Sequence, residues 1–225
     1  MGSIYISMSD YKLVVARYKE NIEWIKCFDD YVIFNKGDIE GLSSDLLPYT
    51  YSLPNVGKDV EVHLRYIIDN YDKLPSKIAF CQGHYDDHYL NLSVDEFKHQ
   101  LLTLNNGYSI LDYSFDKVKE PHQNHSHFNI SHWPDNSESR IPLAHFDVNY
   151  DISVWWKQLS GEDYIQKDTV FWGCIFCVER DLIYRRSKSF YEKMHQPFLD
   201  DINPVETHFA ERSWANIFKV GNSVF

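Results

Sequence analysis

The chain has 225 residues, of which 44% are hydrophobic, and its 33 acidic and 22 basic side chains give a formal net charge of −11. This apolar content excludes general disorder, and the negative charge disfavours non-specific binding of nucleic acid. The sequence has no run of about 18 apolar residues and no signal-like start, which predicts a soluble, cytoplasmic protein with no membrane span. Its few cysteines fit a reducing compartment. We expect one domain over residues 1–225.

The first ninety residues alternate between strand patterns and helix patterns. The segment YKLVVAR is a continuous apolar run of the kind found at the centre of a parallel sheet. The predicted order is strand 11–17, helix 21–28, strand 29–37, loop 38–57, helix 60–74 and strand 77–83. Such alternation predicts an α/β fold with a mainly parallel sheet flanked by helices.

The rest of the chain adds further elements around an irregular stretch at 112–150. Ser93 and Glu96 form a capping-box pattern at the start of a helix. The predicted elements are helix 93–104, helix 153–159, strand 171–178, helix 180–199 and helix 206–220. Cys174 and Cys177 have CxxC spacing, but they lie in the predicted strand, which favours buried free thiols over a zinc or redox site.

In open α/β sheets, ligands bind outside the carboxyl ends of the strands. That rule selects 17–20, 35–37 and 82–88, where polar residues follow apolar strands. The patterns GxGxxG, GxxxxGK[ST] and GxSxG are all absent, which disfavours dinucleotide binding, P-loop hydrolysis and a serine hydrolase.

Two histidine-containing segments have metal-ligand character. Asp86, Asp87 and His88, with His84, follow a strand and predict a divalent cation that bridges phosphates, with a solvated turn as the alternative. A second group lies in a Pro-, Asn- and Ser-rich loop, which favours acceptor binding over zinc. Its members are His122, His125, His127 and His132.

The segments LVVARYKENIEWI, VIFNKG and LPNVGKDVEVHLRYIIDNYDKLPSKIAFCQGH resemble a family of microbial and fungal proteins catalogued as a domain of unknown function. The later segments FWGCIFCVERDLIYRRSKSFYEKM and PVETHFAERSWANIF resemble it in the same order. That family is similar to compact GT-A glycosyltransferases, including small soluble ones of large algal viruses. PVETHF is similar to the Pro-Asp-Glu segment of branching N-acetylglucosaminyl and xylosyl transferases.

The resemblance implies a glycosyltransferase that moves a sugar from a nucleoside-diphosphate sugar, with UDP-sugars favoured, to a hydroxyl of a glycan or glycoprotein. Glu206, at a helix start, is then the catalytic base, with Glu211 as the reserve candidate; capping of the helix dipole is the alternative role of Glu206. The residues implied for base and ribose are Ala16, Arg17, Tyr18 and Glu20. The basic side chains implied for the diphosphate are Lys36, Lys58, Arg65, Arg212 and Lys219.

GT-A enzymes, whose sheet is Rossmann-like, commonly hold a metal ion with an Asp-x-Asp motif, which this chain lacks. Asp86, Asp87 and His88 stand in about its place, so the resemblance implies Mn²⁺ or Mg²⁺ there, and the missing motif leaves metal-independent catalysis as the alternative. Trp155, Trp156 and Trp172 are candidates for stacking on sugars, or for the core. Two rival functions stay open: a sugar or nucleotide-sugar binding module without turnover, and a metal-dependent hydrolase built on the His84–His88 segment.

Overall fold

The computed structural model describes residues 10–86, 92–111, 150–167, 169, 171 and 174–222. Six strands in these ranges form one sheet: β1 (Tyr11–Arg17), β2 (Tyr31–Asn35), β3 (Thr50–Ser52), β4 (Lys77–Gln82), β5 (Tyr108–Ile110) and β6 (Phe176–Glu179). The helices are α1 (Lys58–Asn70), α2 (Val94–Leu102), α3 (Ile152–Ser160), α4 (Arg180–Ile183), α5 (Lys188–His195) and α6 (Val205–Phe218). No helix within the described ranges is both long enough and apolar enough to cross a membrane.

The sheet has the strand order β3-β2-β1-β4-β6-β5. The neighbours β3, β2, β1 and β4 run parallel, whereas β6 is antiparallel to both β4 and β5. The predicted α/β fold with flanking helices is thus confirmed, and the sheet is mixed. Hydrophobic patterning gives no strand direction, which is why the reversal of β6 was not predicted.

Helices cover the sheet on both faces. Alternate residues of β1 point into two separate apolar clusters. On one face, Val14 packs towards α1, α3, α5 and α6. On the other face, Leu13 and Val15 pack towards α2 and the 3-10 helix Glu23–Cys27. This two-sided burial explains why β1 has no polar alternation.

Four parallel strands end at the same edge of the sheet, which we call the carboxyl edge. The strand order reverses between β1 and β4, because β2 and β3 lie on one side of β1 and β4 lies on the other. A crevice at the carboxyl edge is expected at such a switch point.

The helix α6 runs from the carboxyl edge to the opposite edge. The end of β6 pairs with the start of β4, so the residues that follow β6 lie at the opposite edge. Among them, Arg185 donates hydrogen bonds to the carbonyls of Phe218 and Lys219 at the end of α6. With 14 residues and about 1.5 Å of rise per residue, α6 spans the sheet and begins at the carboxyl edge.

Several sequence predictions need correction. The segment 38–57 is not only a loop, since it contains the 3-10 helix Leu47–Tyr49 and the short edge strand β3. The predicted helix 180–199 is two helices, because Ser187 caps a new one by accepting a hydrogen bond from the amide of Phe190. The predicted helix 21–28 is a 3-10 helix of five residues, Glu23–Cys27.

The CxxC pair was also wrongly placed in one strand. Cys177 lies in β6, but Cys174 precedes the strand with a left-handed backbone (φ 52°). The two thiols lie in the apolar clusters on opposite faces of the sheet. They therefore cannot share a metal ion, and all four cysteines are free, as predicted.

Candidate functional site

The carboxyl edge at the switch point is built by the residues that follow β1 and β4. The Glu20 carboxylate accepts hydrogen bonds from the amides of Tyr18 (2.6 Å) and Lys19 (3.1 Å) and thereby closes the turn after β1. A Cβ atom at Gly83 would lie 2.5 Å from Oε2 of Glu20, so any larger residue there would require the Glu20 side chain to shift. Ala16 is buried, and Tyr18 is partly exposed beneath the Lys19 ammonium, which lies 5.0 Å from the ring centre.

Arg17 is buried, although the sequence placed it at a ligand. Its guanidinium donates to the Asn35 side chain (2.6 Å) and to the backbone carbonyls of Glu20 (2.9 Å), Asp38 (2.8 Å) and Glu40 (3.3 Å). Within the described part of the chain, no carboxylate lies within ion-pair distance of it. Arg17 thus joins the loops after β1 and β2 by their backbone.

Lys36 and Arg65, predicted to face a diphosphate, both bind Glu61. The Lys36 ammonium lies 2.9 Å from Oε2 of Glu61, and the Arg65 guanidinium lies 2.6 Å from Oε1. Oε1 of Glu61 also contacts Nε2 of His195 at 3.2 Å. These two basic side chains already have an anionic partner inside the protein.

A second polar group lies between the first turn of α1 and α6, and we call it the α1–α6 cluster. Its members are Lys58, Asp59, Cys174, His208, Glu211 and Arg212. The Asp59 carboxylate lies near the Cys174 thiol and near Glu211, and Lys58 lies near both Asp59 and His208. Arg212 folds back on its own helix, donating to the carbonyl of His208 (2.8 Å), with Glu211 at 3.5 Å.

Burial shifts several ionisation equilibria in the α1–α6 cluster. It raises the pKa of Asp59, and the negative charge of Glu211 raises that pKa further. Burial and the neighbouring Arg212 and Lys58 charges lower the pKa of His208 to about 3. Burial likewise raises the pKa of the Cys174 thiol, which keeps it protonated and a poor nucleophile.

Two members of the cluster have a left-handed backbone, Lys58 with φ 48° and Cys174 with φ 52°. Non-glycine residues rarely adopt this conformation, and such strain concentrates at functional sites. Shifted pKa values, two adjacent carboxylates and strained backbone together make the α1–α6 cluster a functional-site candidate.

Glu206 stands on the first turn of α6, at the carboxyl edge. Its Oε1 accepts a hydrogen bond from the Tyr150 hydroxyl at 2.9 Å, which orients the carboxylate. The sequence singled out Glu206, Glu211 and Arg212, and the structure places all three on the first two turns of α6. Lys219, by contrast, ends α6 at the opposite edge, far along the helix from Glu206.

Other predicted site residues have different surroundings. Trp155 and Trp156 are buried core residues, whereas Trp172, the histidine-rich loop, Asp87 and His88 lie outside the described residues. Asp86 is exposed, with an oxygen 3.8 Å from Nδ1 of His84. Within the described ranges, no three His, Cys, Asp or Glu side chains are grouped to hold a metal ion.

The sequence reasoning missed Asp59 and Cys174. In sequence, Asp59 is an ordinary acidic residue in the first turn of a helix, where it stabilises the helix dipole. It comes near Cys174 only because α1 packs beside β6, as the ring contact between His63 and Phe176 shows. A signal was available in Gly57, which marks the left-handed turn that starts α1.

The fold and the site define an α/β protein with a mixed sheet and polar groups gathered at its carboxyl edge. A family model described as "Protein of unknown function (DUF3431)" matches residues 13–224, so the chain belongs to the DUF3431 family. No curated protein and no solved structure matches it.

Proposed function

We propose that this chain is a glycosyltransferase of GT-A type that moves a sugar from a nucleoside-diphosphate sugar, favouring UDP, to a hydroxyl of a glycan or glycoprotein. The observation that carries the proposal is the position of Glu206. This carboxylate starts α6 at the same edge of the sheet at which the strand order reverses, where an α/β sheet binds its ligand.

In the proposed reaction, the acceptor hydroxyl attacks the anomeric carbon of the donor sugar and its proton passes to Glu206. The bond from that carbon to the phosphate oxygen breaks, the nucleoside diphosphate leaves, and the configuration inverts. The Tyr150 hydroxyl holds Oε1 of Glu206, so Oε2 is the oxygen that would take the proton.

The leaving diphosphate needs positive charge in the transition state. Arg17, Lys36, Arg65 and Arg212 are bound to protein oxygens, and Lys219 ends α6 at the opposite edge. This leaves Lys58, at the start of α1, as the basic residue best placed to face a phosphate. Mn²⁺ or Mg²⁺ held at Asp86, Asp87 and His88 is the alternative source of charge.

The decisive experiment compares Glu206→Gln with Glu211→Gln, with Glu192→Gln on the exposed side of α5 as the matched control. Thermal shifts with UDP-, GDP-, CMP- and dTDP-sugars, with and without Mn²⁺, identify the donor, and release of the nucleoside diphosphate measures turnover. We expect Glu206→Gln to lower kcat by about 10²-fold or more and to leave donor affinity within about twofold.

The other outcomes are equally informative. Full activity of Glu206→Gln combined with loss in Glu211→Gln would move the base to the α1–α6 cluster. A donor that binds without turnover in the unmutated protein would instead favour a nucleotide-sugar binding module. Because Arg17, Lys36 and Arg65 are bound to protein oxygens, they are not free to stabilise a leaving diphosphate, and binding without turnover is consistent with this.

A further inference from the structure

Lys36 is a buried cation whose ammonium is surrounded by oxygen atoms of the protein. Besides Glu61, it donates hydrogen bonds to the carbonyl of Lys58, at 2.5 Å, and to that of Val56. The buried ammonium thus forms an ion pair with one carboxylate oxygen and hydrogen bonds with two backbone carbonyls.

Glu61 keeps this cation in place. Burial alone would raise the pKa of Glu61, but the hydrogen bond from His195 and the charge of Lys36 outweigh it and lower the pKa to about 2. Glu61 is therefore ionised at neutral pH. It joins β2, through Lys36, to α5, through His195.

The carbonyls that Lys36 binds flank an unusual turn. Gly57 (φ 59°) and Lys58 (φ 48°) are consecutive residues with left-handed backbone. The turn is also held from the other side, because the amide of Gly57 donates to the carbonyl of Asp201 at 2.7 Å. Lys58 and Asp59 leave this turn directly into the α1–α6 cluster.

We propose that Lys36, paired with Glu61, is a positioning residue that holds the Gly57–Lys58 turn and so sets Lys58 and Asp59 against His208 and Glu211. The consequence of the Lys36–Glu61 pair for catalysis rests on the proposed function. The effect of this pair on the turn is independent of that function and can be measured in the absence of any substrate.

The test is hydrogen exchange of backbone amides in Lys36→Met, with Arg65→Met as the matched control. Arg65 also pairs with Glu61, but it touches no carbonyl of the turn. We expect the Gly57 and Glu61 amides to exchange about tenfold faster or more in Lys36→Met, while the Leu13 amide of the core strand keeps its rate. Equal exchange of the turn amides in Lys36→Met and Arg65→Met would overturn the proposal.

A rescue variant separates positioning from general loss of a buried charge. Glycine adopts positive φ without strain, so adding Lys58→Gly to Lys36→Met should slow the Gly57 exchange again; no slowing would count against the proposal. If Lys36→Met does not fold, Lys36→Gln takes its place with the same expectations and the same contradicting outcomes, because its neutral side chain is one atom shorter than that of lysine and loses the ion pair with Glu61.

Activity then separates this proposal from the proposed function. With a donor identified, Lys36→Met should lower kcat/KM by about tenfold or more, and Arg65→Met should change it little. If the unmutated protein turns over no nucleotide sugar, the proposed function fails while the exchange result still decides the role of Lys36.

Discussion

Arg17 illustrates how much of a residue's role depends on neighbours that the sequence does not specify. Its position after a buried strand correctly placed it at the carboxyl edge. Its partners, however, are an amide side chain and three backbone carbonyls from loops up to 23 residues away. A basic residue at the end of a strand gives the same sequence pattern whether its side chain binds a phosphate or other atoms of the protein.

We expect Arg17→Met to destabilise the fold by about 3 kcal/mol, because it leaves four oxygen acceptors without their donor. Arg17→Lys should recover only part of this loss, since one ammonium cannot reach acceptors spread over a planar guanidinium. Urea denaturation measures both changes. Arg180→Met, which removes an exposed arginine, is the control and should change stability by less than about 0.5 kcal/mol.

At the scale of single elements, the start of α1 is determined by its left-handed turn. Among the residues that the structure describes, no side chain caps the helix, and Gly57 occupies the N-cap position. A Cβ atom there would lie 2.6 Å from Cβ of Phe198, in the segment that leads to α6. The turn therefore fixes both where α1 begins and how closely the segment before α6 approaches it.

Gly57→Ala should cost about 3 kcal/mol of unfolding free energy, combining left-handed strain of about 1 kcal/mol with the clash against Phe198. Gly41→Ala is the matched control, because Gly41 also has positive φ (80°) but no atom of the described residues lies within 4 Å of the added Cβ. It should show only the strain component. Equal losses in the two variants, measured by chemical denaturation, would contradict the clash.

Elements long enough to show a hydrophobic period were predicted well, and short elements were not. The strands β1, β2 and β4 and the helices α1, α2, α3 and α6 follow from apolar runs or helical spacing. The capping box at Ser93 is formed as expected. The three-residue edge strands β3 and β5 carry too few residues for any period to appear, and they exist only because a neighbouring strand offers hydrogen bonds.

On the scale of the whole molecule, the site is less predictable than the fold. Glu206, Glu211 and Arg212 share one helix, so sequence spacing alone groups them. Asp59 and Cys174 join them through the packing of α1 beside β6, which no local pattern encodes. The sequence showed that Lys36 and Arg65 are basic, but it could not show that both already pair with Glu61.

The stability of the molecule should fall as the pH is lowered from 7. Burial lowers the pKa of His63 from 6.5 to about 3, and neither ring nitrogen has a hydrogen-bond partner among the described residues. Below about pH 6.5, His63 is therefore protonated in the unfolded chain but stays neutral in the folded chain, so stability is lost on acidification. His208 acts in the same direction, and Glu61 adds a further loss as the pH falls from 4.5 towards 2.

For His63 alone, this difference amounts to about 2 kcal/mol between pH 7 and pH 5. Urea denaturation at the two pH values should show His63→Leu losing about 2 kcal/mol less stability than the unmutated protein over that range. An unchanged difference between the two pH values would show that His63 is not the group responsible.

The bonds made by Arg17 and Lys36 have one more consequence. Five of their acceptors are backbone carbonyls, those of Glu20, Asp38, Glu40, Val56 and Lys58. Every amino acid supplies such a carbonyl, so the side chains at these five positions can be exchanged without removing an acceptor. Apart from Glu20, whose carboxylate closes the turn after β1, the side chains at these positions can therefore change the polarity of the carboxyl edge while the loops keep their paths.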